Sequence, residues 1–210
     1  MNKLIWVYDS PFSRSIKWLL LKQGIEHEDY VLTWQQMADD ELLAANPKRQ
    51  VPTLLINNQA KYDSLLIALD YLPRNWHHSI DAKLFRLADS DVEAAIIFLF
   101  RANLLKKQFG DSEQSKLMYE AGVNTYKSAV DFLLDHVLKN THSVECEFGG
   151  VLLLSTMLAA IFMAKTDLQN YRVSELKPFI NAIEQNSVYL NMIAQYQGQS
   201  GNLVPFQFAG

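Results

Sequence analysis

The apolar run Leu4-Ile5-Trp6-Val7 passes almost directly into Ser10-Pro11, and this junction constrains the fold more than any other stretch. With no polar alternation, the run reads as a strand buried on both faces. Ser10 falls at a helix N-cap and Pro11 at the first helical position, where its missing N–H costs nothing. Ile16, Leu19 and Leu20 continue at helical spacing until Gly24 ends the helix. A second apolar run at Tyr30-Val31-Leu32 then predicts two parallel strands joined by a right-handed crossover. The Ser10 hydroxyl and the free N–H groups of the first helical turn lie together at the positive helix end, which suits an anion or thiolate. The same residues also make an ordinary helix start.

A short helix over 36–45 should stop before Asn46-Pro47. Gln50 to Ile56 reads as a strand with Pro52 at its entrance, Asn57-Asn58 as a tight turn, and Gln59 to Tyr62 as a partner strand. A cis Val51-Pro52 bond would leave the Val51 backbone open to an extended peptide ligand. Asp63-Ser64 opens a helix reaching Leu72, and the polar stretch Pro73 to Ser79 marks a domain boundary. The order to that point is βαβαββα.

Beyond it strand alternation disappears. One long helix is predicted over 81–108, with Leu84, Leu87, Asp91, Ala95, Phe98 and Leu105 on one side and Gly110 as its stop. Asp111 to Gln114 reads as a capping box for a second helix reaching about Lys139. A polar loop over 140–147, a break at Gly149-Gly150, a buried helix over 151–165 and helices over 174–184 and 187–197 follow, with a tail whose Phe206 and Phe208 dock back. The expected fold class is therefore a thioredoxin-like α/β domain over 1–75, with a mixed four-stranded sheet, and an all-α bundle over 80–210.

Composition excludes several functions. A net charge of −4, from 19 Lys+Arg against 23 Asp+Glu without charged blocks, leaves no footprint for nucleic acid or an anionic membrane. The single Cys146 rules out an intrachain disulfide, fits a reducing compartment and reads as inert, so a cytoplasmic location is expected. The apolar run from Val151 to Ala164 is too short for a membrane span. His27, His77, His78, His136 and His142 show no ligand spacing, and no metal site is expected.

Three motifs in order carry a family resemblance over the first 75 or so residues. Ser10-Pro11-Phe12-Ser13-Arg14 resembles the Ser/Cys-Pro-Phe segment of the serine- and cysteine-containing cytosolic glutathione transferases, such as the tau, omega and several bacterial groups. Asn46-Pro47-Lys48-Arg49-Gln50-Val51-Pro52-Thr53-Leu54 resembles their Asn-Pro-x-x-Lys-Val-Pro-x-Leu, and Asp63-Ser64-Leu65-Leu66-Ile67 their Glu/Asp-Ser-x-x-Ile. The resemblance implies glutathione as co-substrate and Ser10 as the group that stabilises its thiolate. It implies glutathione contacts from Phe12, Val51, the cis-proline Pro52, Asp63 and Ser64, with Lys48, Arg49 and Gln50 nearest the glycyl carboxylate. It also implies a hydrophobic electrophile held by the helical domain, a homodimer and a role in detoxification.

Two departures stand out. Gln50 replaces a cation that often contacts glutathione, and Gly150-Val151-Leu152-Leu153-Leu154 lacks the aspartate of the family's helix-capping box. The first departure resembles stringent starvation protein A, a non-catalytic family on this fold that works through protein partners. Tyr8, at the end of strand one, has two open readings, a packing aromatic or the hydroxyl of tyrosine-type transferases. Ser13 is a second alternative, with capping or solvent contact as its simpler role. Hydroxyls at both positions of the Cys-x-x-Cys-like spacing disfavour thiol–disulfide exchange. Trp34, Phe98, Tyr126 and Met163 are either core or acceptor-pocket residues.

Overall fold

The computed structural model describes residues 2–139, 145–199 and 203–208, so His142 and most of the expected 140–147 loop lie outside the described residues. The chain divides into two units: residues up to Trp76 together with 186–203, and His77–Gln185 with the end of the chain. Helix α10 (Ser187–Tyr196), counted by sequence with the bundle, belongs to the first unit.

The first unit is built on β1 (Asn2–Val7), with α1 (Pro11–Lys22), β2 (His27–Leu32), α2 (Asp40–Ala45), β3 (Thr53–Ile56), β4 (Gln59–Tyr62) and α3 (Ser64–Ala68). The sheet order is β2-β1-β3-β4, with β1 parallel to β2 and antiparallel to β3, and β3 antiparallel to β4. This is the expected thioredoxin-like mixed sheet. Both faces of β1 are covered, which is why its sequence shows no alternation. Ile5 and Val7 pack with Leu32 and Leu42 on one face. On the other, Trp6 meets Tyr8 and Tyr196 edge-on, with ring centroids 4.9 and 5.0 Å away. Asn57 and Asn58 both have positive φ, 50° and 64°, the backbone that a two-residue hairpin turn demands and asparagine tolerates.

The second unit contains α4 (Ile80–Arg86), α5 (Glu93–Phe109), α6 (Glu113–Phe132), α7 (Phe148–Ala164), α8 (Thr166–Gln169) and α9 (Val173–Glu184). A π-helical segment, Leu87–Val92, joins α4 to α5. Leu84, Leu87 and Ala95 face inward as expected, and past this wider turn Val92, Leu99 and Ala102 are buried in place of Asp91, Phe98 and Leu105. The cap of α6 is Ser112, whose Oγ accepts the Ser115 N–H at 3.2 Å, and Asp111 pairs with Lys106 instead of forming the expected box. Tyr126 is fully buried core, and Trp34 is 48% exposed. Phe206 is buried in the second unit, and the Phe208 N–H donates to Glu184 Oε1 at 2.6 Å.

Gly149-Gly150 is not a break. Both residues lie in the first turn of α7, a helix buried without interruption from Phe148 to Ala160. A Cβ at Gly149 would sit 2.0 Å from the Asp81 carbonyl oxygen, so glycine here lets α4 and α7 approach backbone to backbone. Glu147 provides no side-chain cap, and Asp81 Oδ1, buried, accepts the Gly150 N–H at 2.9 Å. The aspartate missing from the local box is thus replaced from 69 residues earlier in the chain. Gly149→Ala should destabilise the protein by about 3 kcal/mol or more through overpacking, roughly 6–12 °C in melting temperature. Gly150→Ala, whose nearest obstacle is the Ile183 side chain at 3.5 Å, should fall by less than half as much in the same thermal scan.

Candidate functional site

The turn between β1 and α1 is pinned residue by residue. The Ser10 N–H donates to the Val7 carbonyl at 3.1 Å, and Ser10, extended at φ −79° and ψ 117°, caps α1 by accepting the Ser13 N–H at 3.2 Å. Its oxygen accepts, so the hydroxyl proton is still available to a ligand. Ser10 is 3% exposed and Ser13 fully buried, and the Ser13 Oγ finds no hydrogen-bond partner among the described residues. Ser13 therefore has no solvent contact. Phe12 is half-buried, and its carbonyl accepts from the Ser15 hydroxyl at 2.9 Å. Beneath the turn lies Arg14, fully buried, donating from Nε to the Tyr8 carbonyl at 2.5 Å with Nη2 4.0 Å from Asp9 Oδ1. Burial pulls its pKa down to about 10, against the opposing influence of Tyr189 and Asp9, so it remains a cation at neutral pH.

The Val51–Pro52 bond is cis, and Val51 lies just outside the β3 ladder, which begins at Thr53. The approach to it is organised by Asn46, fully buried, which opens the Asn-Pro motif. Its Nδ2 donates to the Gln50 carbonyl at 3.0 Å and to Thr53 Oγ1 at 3.1 Å, and its Oδ1 accepts the Lys48 N–H at 3.0 Å. The side chains of Lys48, Arg49 and Gln50 point outward from this loop and are exposed, with Arg49 at φ 54°. Asp63 also has a left-handed backbone, φ 77° and ψ 119°, and its Oδ1 accepts the N–H groups of Leu65 and Leu66. Strain of this kind in a non-glycine residue is concentrated at ligand-binding positions. Ser64 beside it is buried.

Strand register brings these three stretches to one edge. Ile5 pairs with Thr53 and Thr53 with Tyr62, so one row crosses β1, β3 and β4. The Ser10 turn follows that row on β1, Val51–Pro52 precedes it on β3, and Asp63-Ser64 follows it on β4. Two strand spacings make the row about 10 Å wide, which matches about three extended residues.

Tyr8 forms an aromatic group with Trp6 and Tyr196, and burial, assisted by Asp29, raises its pKa. Beside that group sits a buried polar network. Lys17 Nζ donates to both Asp29 oxygens at 2.9 and 2.7 Å and lies 2.7 Å from His27 Nε2, and the Tyr196 hydroxyl donates to Asp29 Oδ2 at 2.5 Å. The other imidazole nitrogen, Nδ1, is 2.7 Å from the Ile25 carbonyl, which only accepts. Nδ1 therefore carries the proton, and neutral Nε2 accepts from the Lys17 ammonium. Among the described residues no cluster of His, Cys, Asp or Glu is arranged for a metal ion, and no helix is long and apolar enough to cross a membrane.

The comparisons with known proteins converge on one fold. Residues 4–75 match the family described as glutathione S-transferase, N-terminal domain. Among curated proteins none matches the chain in sequence. Among solved structures the chain resembles a glutathione S-transferase from Xylella fastidiosa at TM-score 0.73 and 17% identity, covering 93% of this chain and 98% of that one. It resembles one from the Antarctic clam Laternula elliptica at TM-score 0.69 and 14% identity, covering 98% and 99%. A glutathione transferase family member from Pseudomonas fluorescens with bound glutathione is similar at TM-score 0.70 and 20% identity, covering 91% and 98%. The fold is that of the glutathione S-transferases: a thioredoxin-like domain followed by helices.

Burial lowers the pKa of His27, with Lys17 adding to the effect against the Ile25 carbonyl and Asp29, so the folded protein disfavours the extra proton. A depressed folded pKa leaves this contribution intact above the unfolded value of about 6.5 and removes it as pH falls below that. Melting temperature should drop as pH falls from about 6.5 towards 5, and His27→Gln should flatten that part of the profile. An unchanged slope in the variant would contradict the assigned tautomer and its role.

Proposed function

We propose that the protein is a glutathione transferase whose Ser10 stabilises the glutathione thiolate for attack on a small hydrophobic electrophile. The observation that carries the reading is the register that aligns Ser10, Val51–Pro52 and Asp63-Ser64 along one sheet edge about as wide as a tripeptide. The thiol of free glutathione, with a pKa near 8.5, is mostly protonated at neutral pH, and each unit of depression corresponds to about 1.36 kcal/mol of preferential thiolate stabilisation. The Ser10 hydroxyl and the N-terminus of α1 supply a hydrogen bond and positive potential to that thiolate. The Val51 backbone pairs with the cysteinyl residue. Asp63, whose Oδ1 is committed to the α3 cap, offers Oδ2 to the γ-glutamyl ammonium, and Ser64 takes the carboxylate. The new C–S bond forms as the leaving group departs with its electron pair.

Tyr8 fits the packing role better than the catalytic one, because its ring is engaged on two sides by Trp6 and Tyr196. Ser13, fully buried, serves the cap through its N–H. The reading extends to a cytoplasmic homodimer. Ile97, Phe100 and Leu104 form an exposed apolar stripe on α5, and Leu66 and Leu69 expose a second patch on and just after α3. A non-catalytic, partner-binding role like that of stringent starvation protein A gains support from Gln50, which is exposed and brings no charge.

Titration calorimetry with glutathione separates the readings. Wild type and Ser10→Ala should both bind, while conjugation of a chloronitrobenzene falls about 100-fold in Ser10→Ala, about 2.7 kcal/mol of transition-state stabilisation. No binding at millimolar glutathione would sink the transferase reading and promote the partner-binding one. Sedimentation of the same sample should give twice the 24.1 kDa chain mass.

A further inference from the structure

We propose that Asp9 is a positioning residue for the Ser10 turn and that the backbone N–H of Leu203 holds it in place, so the end of the chain helps to set the geometry of the reacting site. The inference rests on the transferase reading for its activity test alone. The Leu203 N–H donates to Asp9 Oδ1 at 2.7 Å across 194 residues of sequence. Asp9 is 6% exposed, whereas the Leu203 side chain is 65% exposed and contributes little packing. The contact is therefore made by the main chain.

Asp9 occupies the position between two residues that are already fixed. The Tyr8 carbonyl accepts from the Arg14 Nε, and the Ser10 N–H donates to the Val7 carbonyl. Asp9 shares its Oδ1 between the Arg14 guanidinium, 4.0 Å away, and the Leu203 N–H. Its orientation passes directly through the backbone into Ser10, whose extended φ and ψ aim Oγ at the Ser13 N–H. Reacting groups must be held within about 0.5 Å of the productive geometry, and small misplacements cost rate more than ground-state binding.

The same C-terminal stretch is anchored again in the first unit. The Tyr196 hydroxyl of α10 donates to Asp29, and Tyr189 of α10 is fully buried in the same unit. A stretch far in sequence from Ser10 thus braces its turn at Asp9.

Leu203→Pro removes the N–H donor together with the leucine side chain and fixes φ, and it is read against Leu203→Ala, which loses the side chain and keeps the donor. Two measurements are made on the full chain: steady-state conjugation with glutathione, and hydrogen exchange of the Ser13 amide. Leu203→Pro should show kcat about tenfold below Leu203→Ala, a KM for glutathione within about twofold of it, and Ser13 exchange about tenfold faster, with melting temperatures alike. Equal kcat and equal exchange in the two variants would overturn the proposal, as would a loss confined to KM. If wild type neither binds nor conjugates glutathione, the transferase reading fails, and Ser13 exchange still decides whether Leu203 positions the turn.

Discussion

The pairing of β1 with β3 is the constraint on which the rest of the candidate site depends. With Ile5 opposite Thr53 and Thr53 opposite Tyr62, the exit of β1, the entrance of β3 and the exit of β4 fall at one edge. A slip of one residue would move every side chain on the slipped strand to the opposite face, taking Ile5 and Val7 away from Leu32 and Leu42. The core of Ile5, Val7, Leu32 and Leu42 therefore fixes the register, and through it the distance from Ser10 to Val51 and Ser64. Hydrophobic burial sets the site geometry before any polar contact does.

Polar contacts then refine what the register has placed. Asn46 draws the Gln50 carbonyl and the Thr53 hydroxyl together, Asp63 caps α3 from a strained backbone, and Ser10 caps α1 while Arg14 grips the preceding carbonyl. These groups bond to partners close in sequence, which limits unpaired polar burial. Asp9, Asp29 and Asp81 depart from that local pattern, since their partners Leu203, Tyr196 and Gly150 are distant in the chain.

That distinction also explains what the sequence disclosed. The first unit was legible because its signals are local: an unalternated strand, a Ser-Pro cap, an Asn-Asn turn and a proline at a strand entrance. Gly149-Gly150 resembled a break because glycine's local meaning is a turn, whereas here it answers to α4 lying against it. Part of the inward face of α5 differs from expectation, with Leu99 and Ala102 buried in place of Phe98 and Leu105, because a π-helical turn leaves no mark in spacing alone. The burial of Arg14 and Asp9, and the Leu203 N–H that meets Asp9, leave no mark in the sequence near them. The absent aspartate at the start of α7 was real, and its replacement by Asp81 is invisible without the fold.

The central claim is that one sheet edge presents Ser10, Val51 and Ser64 to a single tripeptide. Amide chemical-shift mapping during a glutathione titration tests it directly. The account predicts that the amides of Phe12, Val51 and Ser64 shift together along one saturation curve, while those of the hairpin at Asn57 and Asn58 stay in place. Shifts confined to another part of the chain, or three amides following different curves, would contradict it.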